Sequence, residues 1–198
     1  LHADIEAAVW PGLAGILLSY PESSEDVSKV DQTIGEMELK HGVDVGTIEV
    51  VVMIGSMKGV WNIPEICTAS PRVTTIGLDD EPILEELGVL PNPDIDPLGH
   101  FVRGRMVYEA AGIDETLHGH HGLYRLGIDF PLCSFQRSSA SPEEVELAAH
   151  DARNSAFNGA ICPSPEWVEP CNRGFTPTDA QIEHHHKVQE TYAAGVAI

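Results

Sequence analysis

Short apolar runs alternate along this chain with longer stretches in which apolar side chains recur every three or four positions. Residues 12–18, 47–54 and 73–77 are rich in aliphatic and β-branched side chains, which is typical of strands buried on both faces. Residues 159–163 form a shorter run of the same kind. We expect these four segments to be strands, with at least one more strand in the less regular residues 113–135.

The stretches between these runs have the periodicity and the terminal signals of helices. A helix predicted over residues 24–40 has a serine cap, two acids in its first turn and Gly42 after its last turn. Its buried stripe consists of Val27, Val30, Ile34, Met37 and Glu38. The segment Ser141-Pro-Glu-Glu begins another helix, which runs to about residue 156. Further helices are predicted at residues 61–69, 81–87, 101–111 and 178–194, with Gly112 ending the third of these.

Strands that alternate with helices predict an α/β protein with a parallel sheet. This pattern fits a closed barrel and an open doubly wound sheet equally well. No Gly-x-Gly-x-x-Gly follows any of the predicted strands, which argues against a dinucleotide site. The 198 residues contain no linker or internal repeat, so we expect one domain over residues 1–198.

Charge narrows the range of functions. The chain has 31 acidic and 11 basic residues, a formal net charge of -20, and the acids are spread along it. Such a surface repels phosphate backbones, so nucleic acid is excluded as a partner. The acidity is typical of a solvated surface, and adaptation to high salt is the alternative. No apolar run has the roughly 20 residues of a membrane span, and no signal peptide is present, so we expect a cytoplasmic protein.

Five segments, in order, resemble the citrate lyase β-subunit and malyl-CoA lyase family of aldolases. Residues 15–27 are similar to a family strand that ends in Pro-Lys before a Glu-Ser-Ala-Glu-Asp-Val helix start, and residues 54–62 to its Ile-Glu-Thr-x-x-Gly-Val-x-Asn segment. Residues 70–80 resemble its Ser-Pro-Arg-Val and Phe-Gly-x-Glu-Asp motifs. Residues 159–163 and 175–178 stand where the family has Gly-Lys with Ile-His-Pro, and Phe-Thr-Pro-Ser/Thr.

This resemblance covers about residues 12–194 and implies a (β/α)8 TIM barrel. We expect the chain to begin near the third strand of that barrel, without the family's first strands and C-terminal lid. The family assembles as trimers or hexamers, which implies a homo-oligomer.

The resemblance also implies a magnesium-dependent carbon–carbon lyase that acts on a hydroxyacyl-CoA or a related oxo or hydroxy acid. In the family one Glu and one Asp hold Mg²⁺, which acts as a Lewis acid on the substrate oxygens. Asp80 stands at the Asp position, and Asp79 beside it keeps a negative charge where the motif has Glu. The same alignment makes Gly55, Ser56 and Gly77 candidates for substrate binding. The alternative for the two aspartates is a solvated acid pair at a helix N-terminus.

Arg103 and Arg105 are rare cations in this acidic chain. They are candidates for contact with an anionic acid or a CoA phosphate, and the alternative is pairing with nearby acids.

The family's Glu position is Gly55 here, and glycine offers no metal ligand. Ser19 and Tyr20 replace the Pro-Lys pair, and Cys162 replaces the His of Ile-His-Pro. We therefore expect weak Mg²⁺ binding that Gly55→Glu strengthens. A catalytically silent relative that binds a ligand or supports an assembly is the alternative function.

The histidines of the chain suggest a third function. His118, His120 and His121 lie in a glycine-rich segment, where imidazoles can share a transition metal, as in a metal-dependent hydrolase. The alternative is a solvated polar loop. Three consecutive histidines at 184–186 point about 100° apart around a helix, so they cannot share one ion.

Overall fold

Five parallel strands form one sheet in the computed structural model, which describes residues 1–88, 97–118, 129–134, 141–157 and 159–193. The strands are β1 Gly15–Ser19, β2 Glu49–Ile54, β3 Val73–Leu78, β4 Asp129–Ser134 and β5 Gly159–Ile161. Their order in the sheet is their order in the chain, so every strand pairs with its sequence neighbours. The first three predicted strands are therefore confirmed as adjacent and parallel.

Helices precede the first strand, connect the strands and follow the last strand. They are α1 His2–Ala8, α2 Ser24–His41, α3 Met57–Trp61, α4 Ile63–Thr68, α5 Glu81–Glu86, α6 Pro97–His118, α7 Pro142–Asn154, α8 Val168–Phe175 and α9 Asp179–Ala193, with a 3-10 turn at Pro165–Trp167. Helix α2 packs against α4, and α4 packs against α6. The strand order in a doubly wound sheet reverses, whereas the strands here follow the order of the chain. This fold therefore differs from a doubly wound sheet.

Helix α2 forms as its sequence predicts. The Ser23 side chain accepts a hydrogen bond from the backbone N–H of Asp26, and Gly42 ends the helix in the left-handed conformation at φ 68°. The stripe of five residues predicted to face inward is the set that is buried. Helix α7 likewise begins with a complete capping box between Ser141 and Glu144.

The main core lies between the sheet and its helices. Side chains from the middle of the sheet, including Val52 and Ile76, are fully buried against Ile34 of α2, Ile66 of α4 and Met106 of α6. A smaller apolar cluster joins α7, α8 and the 3-10 turn; it contains Val145, Ala149, Trp167 and Cys171. Ala160 of β5 packs against this second cluster, which therefore connects α7 and α8 to the end of the sheet.

Two predicted helices have different bounds in the structure. Helix α6 continues through Gly112 to His118, because apolar residues on both sides of the glycine, Ala110 and Ile113, are buried. A glycine inside a helix costs only about 1 kcal/mol, which such burial offsets. The helix predicted at 61–69 begins earlier and is divided at Asn62 into α3 and α4. Helices α1 and α8 were not predicted.

No helix in the described ranges is long and apolar enough to cross a membrane.

Candidate functional site

The carboxyl ends of β1, β2 and β3 bring together Tyr20, Gly55, Asp79 and Asp80. The N–H of Tyr20 donates to the carbonyl of Met53, and the N–H of Asp79 donates to the carbonyl of Ile54, each at 2.8 Å. These bonds extend the sheet one residue beyond the strands. All three strand ends therefore lie at one edge, where parallel α/β proteins place their sites.

The ring of Tyr20 occupies the space that a side chain at position 55 would need. A Cβ added to Gly55 would lie 2.2 Å from Cε1 and 2.3 Å from Cδ1 of this ring. Tyr20 adopts a left-handed backbone at φ 56°, which is uncommon for a bulky residue. The chain thus turns sharply at the end of β1 and directs an aromatic ring across the end of β2.

Asp79 lies at the hydroxyl end of that ring. Its carboxyl group accepts a hydrogen bond from the Tyr20 hydroxyl at 2.5 Å, and the residue is only 2% exposed. Burial raises the pKa of Asp79, and the negative charges of Asp80 and Glu85 raise it further. The Tyr20 hydroxyl and the backbone N–H of Glu81 act in the opposite direction. Tyr20 and Asp79 therefore form a pair that holds a proton more readily than an ordinary aspartate.

Asp80 faces a cation from α6. Arg103 Nε donates to Asp80 Oδ2 at 2.8 Å, and the two side chains are 29% and 22% exposed. Arg103 thus pairs with an acid, which was the alternative considered for it, and that acid belongs to the candidate site. Its contact with substrate stays a prediction. A guanidinium has five N–H donors in a planar fork, a geometry that suits carboxylates.

Arg105 lies two residues beyond Arg103 in α6. Its guanidinium carbon lies 4.9 Å from the centroid of the exposed Trp61 ring, and its Nη2 lies 3.7 Å from Glu109. The contact with Trp61 is a cation–π interaction between α3 and α6. Arg105 Nε is buried, and no hydrogen bond to it is found in the described part of the chain.

Ser56 and Gly77 have structural positions. The Ser56 hydroxyl accepts a hydrogen bond from the N–H of Gly59 at 3.0 Å and so caps α3. Gly77 is buried inside β3, where it pairs with Met53 of β2. Both residues shape the edge of the sheet, and their predicted contact with substrate stays a prediction.

The residues present do not fit a magnesium ion held by two carboxylates. The described ranges contain no group of three or more His, Cys, Asp or Glu residues that could hold a metal. Asp80 is paired with Arg103, and the neighbouring position that would supply the second carboxylate is Gly55, whose side-chain space the Tyr20 ring fills. Asp79, the other candidate ligand, is bonded to the Tyr20 hydroxyl. Mg²⁺ gives up its hydration shell reluctantly, so these two aspartates are a poor site, and weak binding there stays a prediction.

The histidine cluster lies mostly outside the described residues. His118 is the last residue of α6, and His120 and His121 fall in a part of the chain that the structure does not describe. Metal binding there stays a prediction. The histidines at 184–186 are exposed along α9, as expected for a solvated face.

The parallel sheet with its helices places this chain among α/β proteins. The sequence profile of the HpcH/HpaI aldolase/citrate lyase family matches residues 1–113, which is more than half of the chain. The chain belongs to this family, as its motifs predicted.

Its relatives are distant. The chain is 24% identical over 185 residues to citrate lyase subunit β of Leuconostoc mesenteroides subsp. cremoris, a match that covers 93% of this chain and 56% of that protein. The chain thus spans little more than half the length of this curated relative.

Two solved structures have a similar fold. A citrate lyase from Burkholderia xenovorans LB400 aligns with a TM-score of 0.74 at 15% identity, covering 96% of this chain and 57% of that one. CitE from Mycobacterium tuberculosis, in complex with magnesium, acetoacetate and coenzyme A, aligns with a TM-score of 0.65 at 14% identity, covering 91% of this chain and 58% of that one. At such identities the likeness shows the fold alone.

Proposed function

We propose that the carboxyl edge of β1–β3 binds a small oxo or hydroxy acid, free or as its CoA thioester, without the two-carboxylate Mg²⁺ of carbon–carbon lyases. In this proposal the chain is a ligand-binding relative of those lyases. Family membership supports the ligand class, since CitE from M. tuberculosis was crystallised with acetoacetate and coenzyme A. Arg103 brings a guanidinium to this edge, and guanidinium groups suit carboxylates.

One observation carries the proposal. The Tyr20 ring fills the place of a side chain at position 55, and its hydroxyl bonds to Asp79. Two changes relative to the family motif, the loss of a carboxylate and the gain of a ring, are therefore complementary in space. A site that had merely lost its glutamate would leave a gap for water instead.

A magnesium-dependent lyase is the second candidate function. The observation that favours it is the position of Asp80, which follows β3 at the carboxyl edge as the family motif requires. In this candidate Mg²⁺ would bind weakly and would have to compete with Arg103 for the Asp80 carboxylate.

We further propose that the five strands are an arc of a (β/α)8 barrel and that the protein forms homo-oligomers. Strands in sequence order support the barrel. Large apolar side chains on the outside of the fold support association, including Trp61, Phe101 and Tyr108, which are 72%, 63% and 80% exposed. Light scattering tests the second point, and a 21.4 kDa monomer at micromolar concentration would contradict it.

Calorimetry with acetoacetate, oxaloacetate and CoA tests the main proposal. We expect the full chain to bind one of the acids equally well with added Mg²⁺ and with a chelator. Arg103→Gln should weaken this binding about tenfold or more, because a charge-assisted hydrogen bond is lost. Arg173→Gln is the matched control, since Arg173 is an exposed arginine on α8 that pairs with Glu146.

The outcomes separate the two candidates. Acid binding that requires Mg²⁺ and disappears in Asp80→Asn, with release of an oxo acid from a hydroxyacyl-CoA, would favour the lyase. Absence of acid and CoA binding under both conditions would rule out the ligand class altogether.

A further inference from the structure

Two cysteines meet near the carboxyl end of β5, outside the site described above. Cys162 directly follows the last residue of β5, and Cys171 lies in the middle of α8. Cys171 is 5% exposed and belongs to the smaller apolar cluster, against which the half-buried Cys162 packs. The Cys162 side chain interacts with the thiol of Cys171.

Both cysteines line the same cavity. Its volume is about 410 Å³, and Val168, Asn172 and Phe175 form part of its wall. The cavity gives a small molecule access to a pair of sulfur atoms that the apolar cluster otherwise encloses. Isolated buried thiols lack such access and are usually inert.

We propose that Cys162 and Cys171 form a redox-active pair that closes to an intramolecular disulfide when a small-molecule disulfide oxidises it. The geometric basis is that both cysteines line one cavity and that Cys162 packs against the apolar cluster to which Cys171 belongs. The proposal is independent of the ligand that the β1–β3 edge binds.

The two cysteines have different roles in this exchange. Cys162 is the more exposed, so its thiolate attacks the small disulfide, forms a mixed disulfide and releases one small thiolate. Cys171 then gives up its proton and attacks the sulfur of Cys162, which releases the second small thiolate. Two S–H groups become one S–S bond, the small disulfide is reduced to two thiols, and the protons pass to the released thiolates.

The surroundings of Cys171 suit the resolving role. Burial raises the pKa of Cys171 to about 12, and the neighbouring Cys162 adds to this effect. A thiol with so high a pKa reacts poorly with an oxidant in solution. It can still attack a mixed disulfide that is already held against it, because the reacting sulfur atoms are then neighbours.

The closed bond would join the end of β5 to α8. At present these two segments are held together by apolar contacts in the smaller cluster. A covalent link there would fix the last strand of the described sheet to its helix. We therefore expect the oxidised protein to unfold at a higher temperature than the reduced protein.

Peptide mapping of the full chain after incubation in glutathione disulfide tests the proposal. We expect the folded protein to lose two hydrogens in mass and to give a linked peptide that contains Cys162 and Cys171. Cys162→Ser and Cys171→Ser should each prevent this link and leave at most a mixed disulfide. Dithiothreitol should restore the reduced mass.

Two further cysteines provide matched controls. Cys67 is buried in α4, and Cys133 lies in β4, where its backbone is in register with Ala160. Cys67→Ala and Cys133→Ala should leave the link unchanged. Three outcomes would overturn the proposal. The folded wild type could form mixed disulfides without any link between Cys162 and Cys171, or it could form a link to Cys67 or Cys133. The link between Cys162 and Cys171 could also form in denaturant alone. Mapping of the wild type alone decides this, so the result does not depend on the folding of any variant.

Discussion

Tyr20 and Gly55 are a complementary pair, since one supplies the ring that the other has room for. The family resemblance located both residues at the edge and identified Gly55 as the lost ligand. It could not show where the Tyr20 side chain goes, because that depends on a left-handed backbone conformation at the end of β1. A positive φ is rare for tyrosine, so the sequence around Tyr20 gives no signal that predicts this turn.

The expected effect of Gly55→Glu therefore changes. A positive φ at Gly55 would strain any side chain, but the described glycines with positive φ are Gly12, Gly42, Gly46 and Gly88. The obstacle is the ring 2.2 Å from the new Cβ. A glutamate can reach Asp80 only if the ring leaves.

We predict that Gly55→Glu alone does not create tight Mg²⁺ binding and destabilises the fold by about 1–3 kcal/mol, because it overpacks the edge. The double variant Tyr20→Ala with Gly55→Glu should bind Mg²⁺ more tightly than the wild type. Calorimetric Mg²⁺ titration and thermal unfolding of both variants check this.

Tyr20→Phe with Gly55→Glu is the matched control, since it removes the hydroxyl but keeps the ring. It should bind no better than Gly55→Glu alone. Equal Mg²⁺ affinity in Gly55→Glu and in the two double variants would show that the Tyr20 ring does not prevent a glutamate at position 55 from binding the ion.

Helix α2 is tied to the start of β3 by a buried ion pair. Arg72, 6% exposed, donates to both carboxylate oxygens of the fully buried Glu38 at 2.8 and 2.6 Å, and to Asp31 at 2.5 Å. Glu38 also accepts from the N–H groups of Gly46 and Ile48. The carboxylate thus joins the helix, the following loop and the next strand in one network.

Part of this network was evident in the sequence. The periodicity of α2 placed Glu38 on the buried face, and a buried acid requires a partner. Arg72 lies 34 positions further on, and no pattern within α2 identifies it as that partner. Pairings between elements depend on the packing of helix against sheet, which local periodicity does not contain.

We predict that the protein loses stability in acid as Glu38 becomes protonated. Burial alone would raise its pKa, but the hydrogen bonds from Arg72, Gly46 and Ile48 and the charge of Arg72 lower it to about 2. Because the folded pKa lies below the ordinary value of 4.5, the stabilisation is present above that pH and is lost as the pH falls towards 2. The loss should amount to about 3 kcal/mol.

Denaturant unfolding measured from about pH 6 to about pH 2 checks this loss of stability. Glu38→Gln should flatten the pH dependence, although it destabilises the protein at neutral pH by leaving Arg72 poorly paired. Glu25→Gln is the matched control, because Glu25 forms an exposed pair with Lys29 and should leave the curve unchanged. A curve that Glu38→Gln does not alter would assign the acid sensitivity to other carboxylates.

The sequence pattern predicted a parallel sheet. It did not predict whether that sheet is open or closes into a barrel. Uninterrupted β-branched strands indicated parallel pairing, and β1 to β3 confirmed it. Residues 113–135 lacked a clear period, so the bounds of β4 at Asp129–Ser134 could not be derived. Strand β5 has only three residues, Gly159–Ile161, and so short a strand is recognised by its place after α7 more than by its own composition.

We predict that salt stabilises the folded chain because its net charge is -20. Self-repulsion among exposed acids opposes the compact state, and the screening length falls from about 10 Å at 0.1 M salt to about 3 Å at 1 M. Thermal unfolding should therefore occur at a higher temperature in concentrated KCl than in dilute KCl.

A charge-reduced variant separates this screening from general salting-out. Asp44→Asn, Glu65→Gln, Asp151→Asn and Glu190→Gln together neutralise four exposed acids. We expect a smaller salt dependence of the unfolding temperature in this variant. An unchanged dependence would mean that salt acts on apolar burial and not on charge repulsion.

The order of the strands has a consequence for biosynthesis. Each strand pairs with the strand that precedes it in the chain, and the first partners, Gly15 and Glu49, are 34 residues apart. Among the five described strands, each new strand therefore pairs with one that has already been synthesised. Contacts between successive units keep the search local, which favours stepwise growth of the sheet behind the ribosome. The sequence order of the sheet is thus also an order in which the nascent protein can assemble.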